Sequence, residues 1–109
     1  MLVNNAGIAG GSGPIESQAS EDWSWALNVN IMGVVFGAKH FVPLIKQHGE
    51  GGWVVNVASM AGMGGMPFAG AYTATKSAVV ALSESWATEL EDAGIAVAVL
   101  CPGFVQTRI

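Results

Sequence analysis

With 109 residues, 51% of them apolar and only 11% charged, the chain is long enough for one small domain and too apolar to be disordered. A net charge of −4 and a pI near 4.8 exclude a nucleic-acid backbone as the natural partner. One cysteine, Cys101, excludes an internal disulfide, fits a reducing compartment and reads as a small apolar residue at a strand end.

Leu2-Val3 runs into Asn4-Asn5-Ala6-Gly7 and a glycine-rich loop through Gly13-Pro14, which predicts the end of a strand. Ser20 is placed to cap a helix whose first turn carries Glu21 and Asp22, where negative charge meets the positive helix end. Leu27, Ile31, Val34, Ala38, Phe41 and Ile45 then form an apolar helical stripe. Beside it, Ala26, Asn30, Gly33 and Gly37 make a strip of small residues that allows close approach to a sheet. Pro43 predicts a kink in the last turns, and Gly49 to Gly52 the end of the helix.

Trp53-Val54-Val55-Asn56-Val57 predicts a second strand, followed by a loop rich in Gly and Met from Ala58 to Gly70. A second long helix is expected from about Ala71 to Ala93, with Gly94 as its stop. Ile95 to Leu100 has the pattern of a strand buried on both faces, and Pro102-Gly103 ends it. Strand–helix–strand–helix–strand predicts a parallel α/β layer with both helices on one face. Nothing in the chain is left to cover the other face, so the chain by itself is expected to expose an apolar sheet and an edge at Leu2-Val3, and to self-associate. No stretch approaches the ~20 uninterrupted apolar residues of a membrane span, and no basic region follows Met1. The expectation is a soluble cytoplasmic protein without membrane or nucleic-acid partners. His40 and His48 read as helix-surface residues, and no cluster suggests a metal.

The chemistry concentrates on Tyr72 and Lys76, one helical turn apart on a shared face, with Ser59 thirteen residues before the tyrosine. A free phenol titrates near ~10, and a neighbouring ammonium stabilises its anion. A hydroxyl from Ser59 then serves to hold a substrate oxygen. Taken alone, a Tyr–Lys pair at this spacing is more often a solvated helix face.

Five motifs follow one another in order: Asn4-Asn5-Ala6-Gly7, Asn30 within Asn28-Val29-Asn30-Ile31-Met32-Gly33, Ser59, Tyr72-Thr73-Ala74-Thr75-Lys76, and Pro102-Gly103-Phe104-Val105-Gln106-Thr107. In this succession the chain resembles the short-chain dehydrogenases/reductases, from the fourth strand of that family's sheet to just past the sixth. The resemblance implies a partial Rossmann-like, doubly wound α/β sheet, with residues 1–109 as the central and catalytic part of one NAD(P)-binding domain. It implies that Tyr72 is the general acid/base for interconversion of a secondary alcohol and a ketone. Lys76 would assist it and bind the nicotinamide ribose, and Ser59 would orient the carbonyl. Asn30 would hold a relay water on its backbone; its other reading is a polar bridge to the neighbouring strand. Asn5, Ala6 and Gly7 would lie near the adenosine side of NAD or NADP, or simply brace the sheet. Pro102, Gly103, Val105 and Thr107 would meet the nicotinamide carboxamide.

Met60, Met63, Met66, Phe68 and Phe104 would line an apolar substrate pocket, or merely pack a loop. The family's two long helices pair with those of a partner subunit, which would place Trp86, Val79, Leu82 and Leu90 at a homo-oligomer interface. The family's glycine-rich turn TGxxxGxG is missing from the chain, and Gly7-Ile8-Ala9-Gly10-Gly11 does not replace it, because no helix is expected to open directly behind it. The expectation is a central fragment lacking about 90 N-terminal residues and the family's last helix and strand, and inactive by itself. The alternative is a truncated, non-catalytic paralogue that acts as an assembly module.

Overall fold

The computed structural model describes residues 1–106. Three parallel strands, β1 (Leu2–Asn4), β2 (Gly52–Val57) and β3 (Ile95–Leu100), lie in the order β1-β2-β3. Leu2 pairs with Val54, and Val54 in turn with Val97, so even-numbered residues of β1 and β2 share a face with odd-numbered residues of β3. That face carries Leu2, Asn4, Val54, Asn56, Ile95, Val97 and Val99, and the helices pack on it.

Helix α1 (Ser20–Ala26) passes through a π-helical turn, Leu27–Met32, into α2 (Gly33–His48), and α3 (Gly70–Glu89) precedes β3. Ser20 is the first helical residue rather than the cap; Ala19 holds the cap position, and no side chain bonds the free amides there. Pro43 does not end α2, which runs on to His48 and stops at Gly49, whose φ of 73° closes the helix in the left-handed conformation. α3 ends at Glu89, followed by a single 3-10 turn, Glu91–Ala93, that Gly94 terminates with φ 67°.

The π turn explains a shift in the buried stripe. The buried positions are Ala26, Asn30, Val34, Ala38 and Ile45, whereas Leu27 and Phe41 are exposed. A wide turn advances the helix by more than 3.6 residues, so the steps of four from Ala26 to Ala38 stay on one face. Of the small-residue strip, Ala26 and Asn30 are therefore buried along with part of the apolar stripe, and Gly37 meets β1 at Asn4. Gly37 sits against the Asn4 amide so closely that a Cβ there would collide with it, while Gly33 faces open space.

Two apolar clusters hold the layers together. Ile45, Val54, Leu90 and Ile95 form one, and Val34, Ala58 and Val79 the other, with Trp86 against both. Full burial of Val54, Val79 and Ile95 contributes about 1.5–3 kcal/mol each. Val79 and Leu90 thus belong to the chain's own core, and Trp86 seals it. They do not form a free helix face for a partner, as the sequence had suggested. A polar ladder crosses the same layer: Asn4 Nδ2 donates to Asn56 Oδ1 (2.8 Å), Asn56 Nδ2 to Ser83 Oγ (3.0 Å), and Ser83 Oγ to the Val79 carbonyl (2.7 Å).

The opposite sheet face is open among the described residues. Val3, Trp53 and Leu100 on it are 51%, 55% and 55% exposed. β3 is accordingly buried on one face only, not on both, because no element packs over Ala96 and Leu100. One helical run, Ser20–His48, is long and apolar enough by composition to cross a membrane, with a mean hydropathy of 1.2 over its best 18 residues. In this fold it lies on the sheet with a buried, fully bonded asparagine at its centre.

Candidate active site

All three strands end on the same side, and the site is built from the segments that leave their C-terminal ends. After β2 the chain is clamped to the end of β3, with Ala58 N donating to Leu100 O (2.8 Å) and Met60 N to Pro102 O (3.0 Å). Ser59 sits between these two bonds. Its Oγ accepts from Ala61 N at 3.2 Å and so caps the short 3-10 turn Met60–Gly62. The turn is tied to α3 by Ser77 Oγ donating to Gly62 O at 3.0 Å. Tyr72, half-buried in the first turn of α3, faces Ser59 across a cavity of about 580 Å³, also lined by Asn5, Val57, Pro102, Gly103 and Val105.

On the other side of the Tyr72 ring a second opening, of about 540 Å³, is lined by Gly7, Ile8, Ala9, Gly10, Trp25 and Lys76. Lys76 is not on a solvated face: it is 4% exposed, and its Nζ lies 5.8 Å from the Tyr72 ring centroid. Nζ donates to the Val57 carbonyl at 3.0 Å. Burial in this position holds the Lys76 ammonium below the ordinary lysine pKa.

Asn30 lines neither cavity. It stands behind them, fully buried, with Oδ1 accepting from Ile8 N (2.8 Å) and Nδ2 donating to Ile8 O (2.9 Å) and Thr75 Oγ1 (2.9 Å). Its side chain is therefore a polar bridge, to the loop after β1 and to α3 rather than to a strand. Its backbone lies inside the π turn, a feature frequent at functional sites. Ala6 faces away from the main cavity and, with Asn5, Gly33 and Val34, lines a smaller hollow of about 240 Å³. Thr107 lies outside the described residues.

Two expectations about the surroundings change. Met60, Met63, Met66, Phe68 and Phe104 line neither opening and are 45% exposed or more; the loop of the first four is held by backbone bonds and projects these side chains outward. Thr75, to which no motif assigns a role, is fully buried and joins Asn30 to α3. The signal for it is a hydroxyl on the buried side of α3, three residues after Tyr72 and next to Lys76. Among the described residues no group of His, Cys, Asp or Glu is arranged to hold a metal ion. His40 and His48 are exposed, as expected, and His48 Nδ1 accepts from Glu50 N at 3.1 Å.

The short chain dehydrogenase family model matches residues 1–109. The chain belongs to this family. It is 38% identical over 109 residues to the 3beta-hydroxysteroid dehydrogenase 2 of Eggerthella lenta, covering 100% of this chain and 42% of that protein. Among solved structures, a short chain dehydrogenase/reductase from Burkholderia phymatum in complex with NAD superposes with a TM-score of 0.89 at 40% identity, over 94% of this chain and 37% of that one. ElxO with NADP bound gives a TM-score of 0.91 at 33% identity, over 97% and 42%. The chain spans between 35% and 43% of the length of the curated relatives it matches. The partial Rossmann-like sheet expected from the motifs is thus the fold observed.

The nicotinamide half of a dinucleotide fits the residues present. Lys76 spends one of its three donors on Val57 and keeps two. Gly7 stands so near that an added Cβ would lie 3.0 Å from Nζ, and the space it leaves open suits a hydroxyl-bearing ring such as ribose. The loop after Gly7 continues without a helix until Ser20, apart from a 3-10 turn at Ile15–Ser17, and offers no helix N-terminus to a pyrophosphate.

Proposed function

We propose that residues 1–109 are the central, catalytic part of one NAD(P)-binding domain, in an oxidoreductase that interconverts a secondary alcohol and a ketone. The observation that carries this reading is the position of Tyr72, which lines both openings with Ser59 on one side and Lys76 on the other. NAD or NADP, when bound, supplies the hydride acceptor or donor. Tyr72 moves the proton at the substrate oxygen. Because the Ser59 hydroxyl already accepts from Ala61, its O–H is left to donate to that same oxygen and orient it. Lys76 keeps a positive charge beside the ring, where it favours the negative charge that develops during proton transfer.

In this reading Asn5, Gly7, Pro102, Gly103, Val105 and Thr107 hold the nicotinamide half, Ala6 braces the turn toward the adenosine side, and the pyrophosphate is held by residues outside this chain. The substrate is apolar; Leu100, Pro102 and Val105 at the cavity support this, as does the hydroxysteroid named in a relative. The intact enzyme is cytoplasmic and homo-oligomeric, and the exposed Phe36, Phe41 and Leu44 of α2 suit a helix interface better than the residues of the core. Tyr72→Phe in the intact enzyme should abolish nearly all turnover, by about 100-fold or more for loss of general acid/base catalysis, while NAD(P)H still binds. Retention of turnover in that variant would assign the proton to another group.

A further inference from the structure

We propose that Thr75 is a positioning residue that sets the Tyr72–Lys76 turn against the loop following β1. The inference rests on the oxidoreductase reading for its kinetic consequence, and on geometry alone for its structural one. Thr75 is fully buried, a hydroxyl flanked one turn before and one turn after by the buried Ala71 and Val79. Its Oγ1 donates to the Tyr72 carbonyl at 2.9 Å and accepts from Asn30 Nδ2 at 2.9 Å. Asn30 in turn is bonded both ways to the backbone of Ile8, through Oδ1 at 2.8 Å and Nδ2 at 2.9 Å. A continuous chain of bonds thus runs from the loop carrying Gly7 and Ile8, through the π turn, to the backbone of Tyr72.

That chain of bonds ends on the turn that carries the chemistry. A threonine hydroxyl that bonds the carbonyl three residues earlier distorts its helical turn locally, and here the turn is the one carrying Tyr72 and Lys76. The partner on the other side is rigid, because Asn30 has no exposed surface and no unused amide hydrogen. Without the hydroxyl, Asn30 Nδ2 keeps only Ile8 O, and the register between α3 and the Gly7–Ile8 loop is set by apolar contact alone. Lys76 Nζ, which lies beside Gly7 with room for no Cβ between them, would then settle differently against that loop.

In a protein labelled with carbon-13 tyrosine, the Tyr72 ring signals are assigned by their loss in Tyr72→Phe. Thr75→Val and Thr75→Ala both remove the hydroxyl and Thr75→Ser keeps it. In the intact enzyme, the first two are expected to shift or broaden the Tyr72 ring signals and to lower kcat by about 10–100-fold, the range for a misplacement below about 1 Å. The dissociation constant for NAD(P)H should change less than kcat, and Thr75→Ser should restore both signals and turnover. Ring signals identical to wild type in the valine and alanine variants would overturn the proposal, whatever their melting temperatures. So would failure of both to fold while the serine variant folds, since the hydroxyl would then be a stability element only. If the wild type shows no alcohol–ketone turnover but the ring signals still move with Thr75, the oxidoreductase reading falls and the positioning role stands.

Discussion

Gly62 offers a direct test of how tightly the Ser59 turn must lie on α3. An added Cβ there would stand 2.6 Å from the Lys76 carbonyl oxygen, 2.7 Å from its carbon and 3.1 Å from Ser77 N. All three are backbone atoms within α3 and none can swing aside. A relaxed carbon–oxygen contact is about 3.3–3.6 Å, so Gly62→Ala must push the Met60–Gly62 turn away from α3 by roughly 0.7–1 Å. That turn holds Ser59, whose Oγ is fixed by Ala61 N, and it is bonded to Ser77 through the Gly62 carbonyl. The steric cost is about 1–3 kcal/mol of stability, in the range of overpacked sites. A shift approaching 1 Å at Ser59, which we propose orients the substrate oxygen, should lower kcat by about 10–100-fold. Urea unfolding and steady-state kinetics on the intact enzyme read the two effects. Gly64→Ala and Gly65→Ala are internal controls, since an added Cβ at either meets nothing within 4 Å and both lie in the same loop. A Gly62→Ala enzyme indistinguishable from these controls in both measurements would refute the close-packed turn.

Asn56→Ala removes the centre of the Asn4–Asn56–Ser83 ladder, two bonds of 2.8 and 3.0 Å, at a fully buried position. The lost bonds and the unsatisfied partners should cost about 2–4 kcal/mol in urea unfolding; a loss below about 1 kcal/mol would show that water replaces the amide. For Lys76 the folded pKa lies below the unfolded one, so the unfolded chain binds more protons between the two values. Stability of the wild type should rise with pH from the lowered folded value up to the ordinary 10.5, and the rise should be absent in Lys76→Met. Urea titrations of both proteins from neutral pH to about pH 10 would show the wild type gaining on the variant; a gap independent of pH would mean that the ammonium is not desolvated.

Regular elements were legible because their signals are local. Ile95–Leu100 is the strand its apolar run predicted, residue for residue, and the order of elements fixed a parallel sheet with its helices on one side. What the sequence could not show depended on which way a local signal faces. Val79 and Leu90 make an apolar flank on α3, but periodicity cannot say whether that flank meets the chain's own sheet or another subunit; here it meets Val34, Val54 and Ile95. Composition gave Met60, Met63, Met66 and Phe68 a pocket, yet the backbone bonds that hold their loop turn those side chains to solvent.

The π turn at Leu27–Met32 is the more instructive case, since it is invisible to any reading based on a period of 3.6. A regular helix starting at Ser20 that buried Val34, Ala38 and Ile45 would carry Ala26 and Asn30 off the face that meets the sheet, because each step of four overshoots a turn by about 40°. The wide turn absorbs that overshoot. It lets one continuous helix place Asn30 behind the site and Ile45 in the apolar cluster beneath it. The cost of a less favourable helical turn is offset by three hydrogen bonds from the Asn30 amide to Ile8 and Thr75. Irregular backbone, a buried asparagine and a buried threonine are each unfavourable in isolation, and each becomes stable only because the other two are present. Motif spelling identified Ser59, Tyr72 and Lys76 as the groups that face the cavities. The bonded network behind them, which fixes where Tyr72 and Lys76 stand, is a property of the folded layer and had to be read from it.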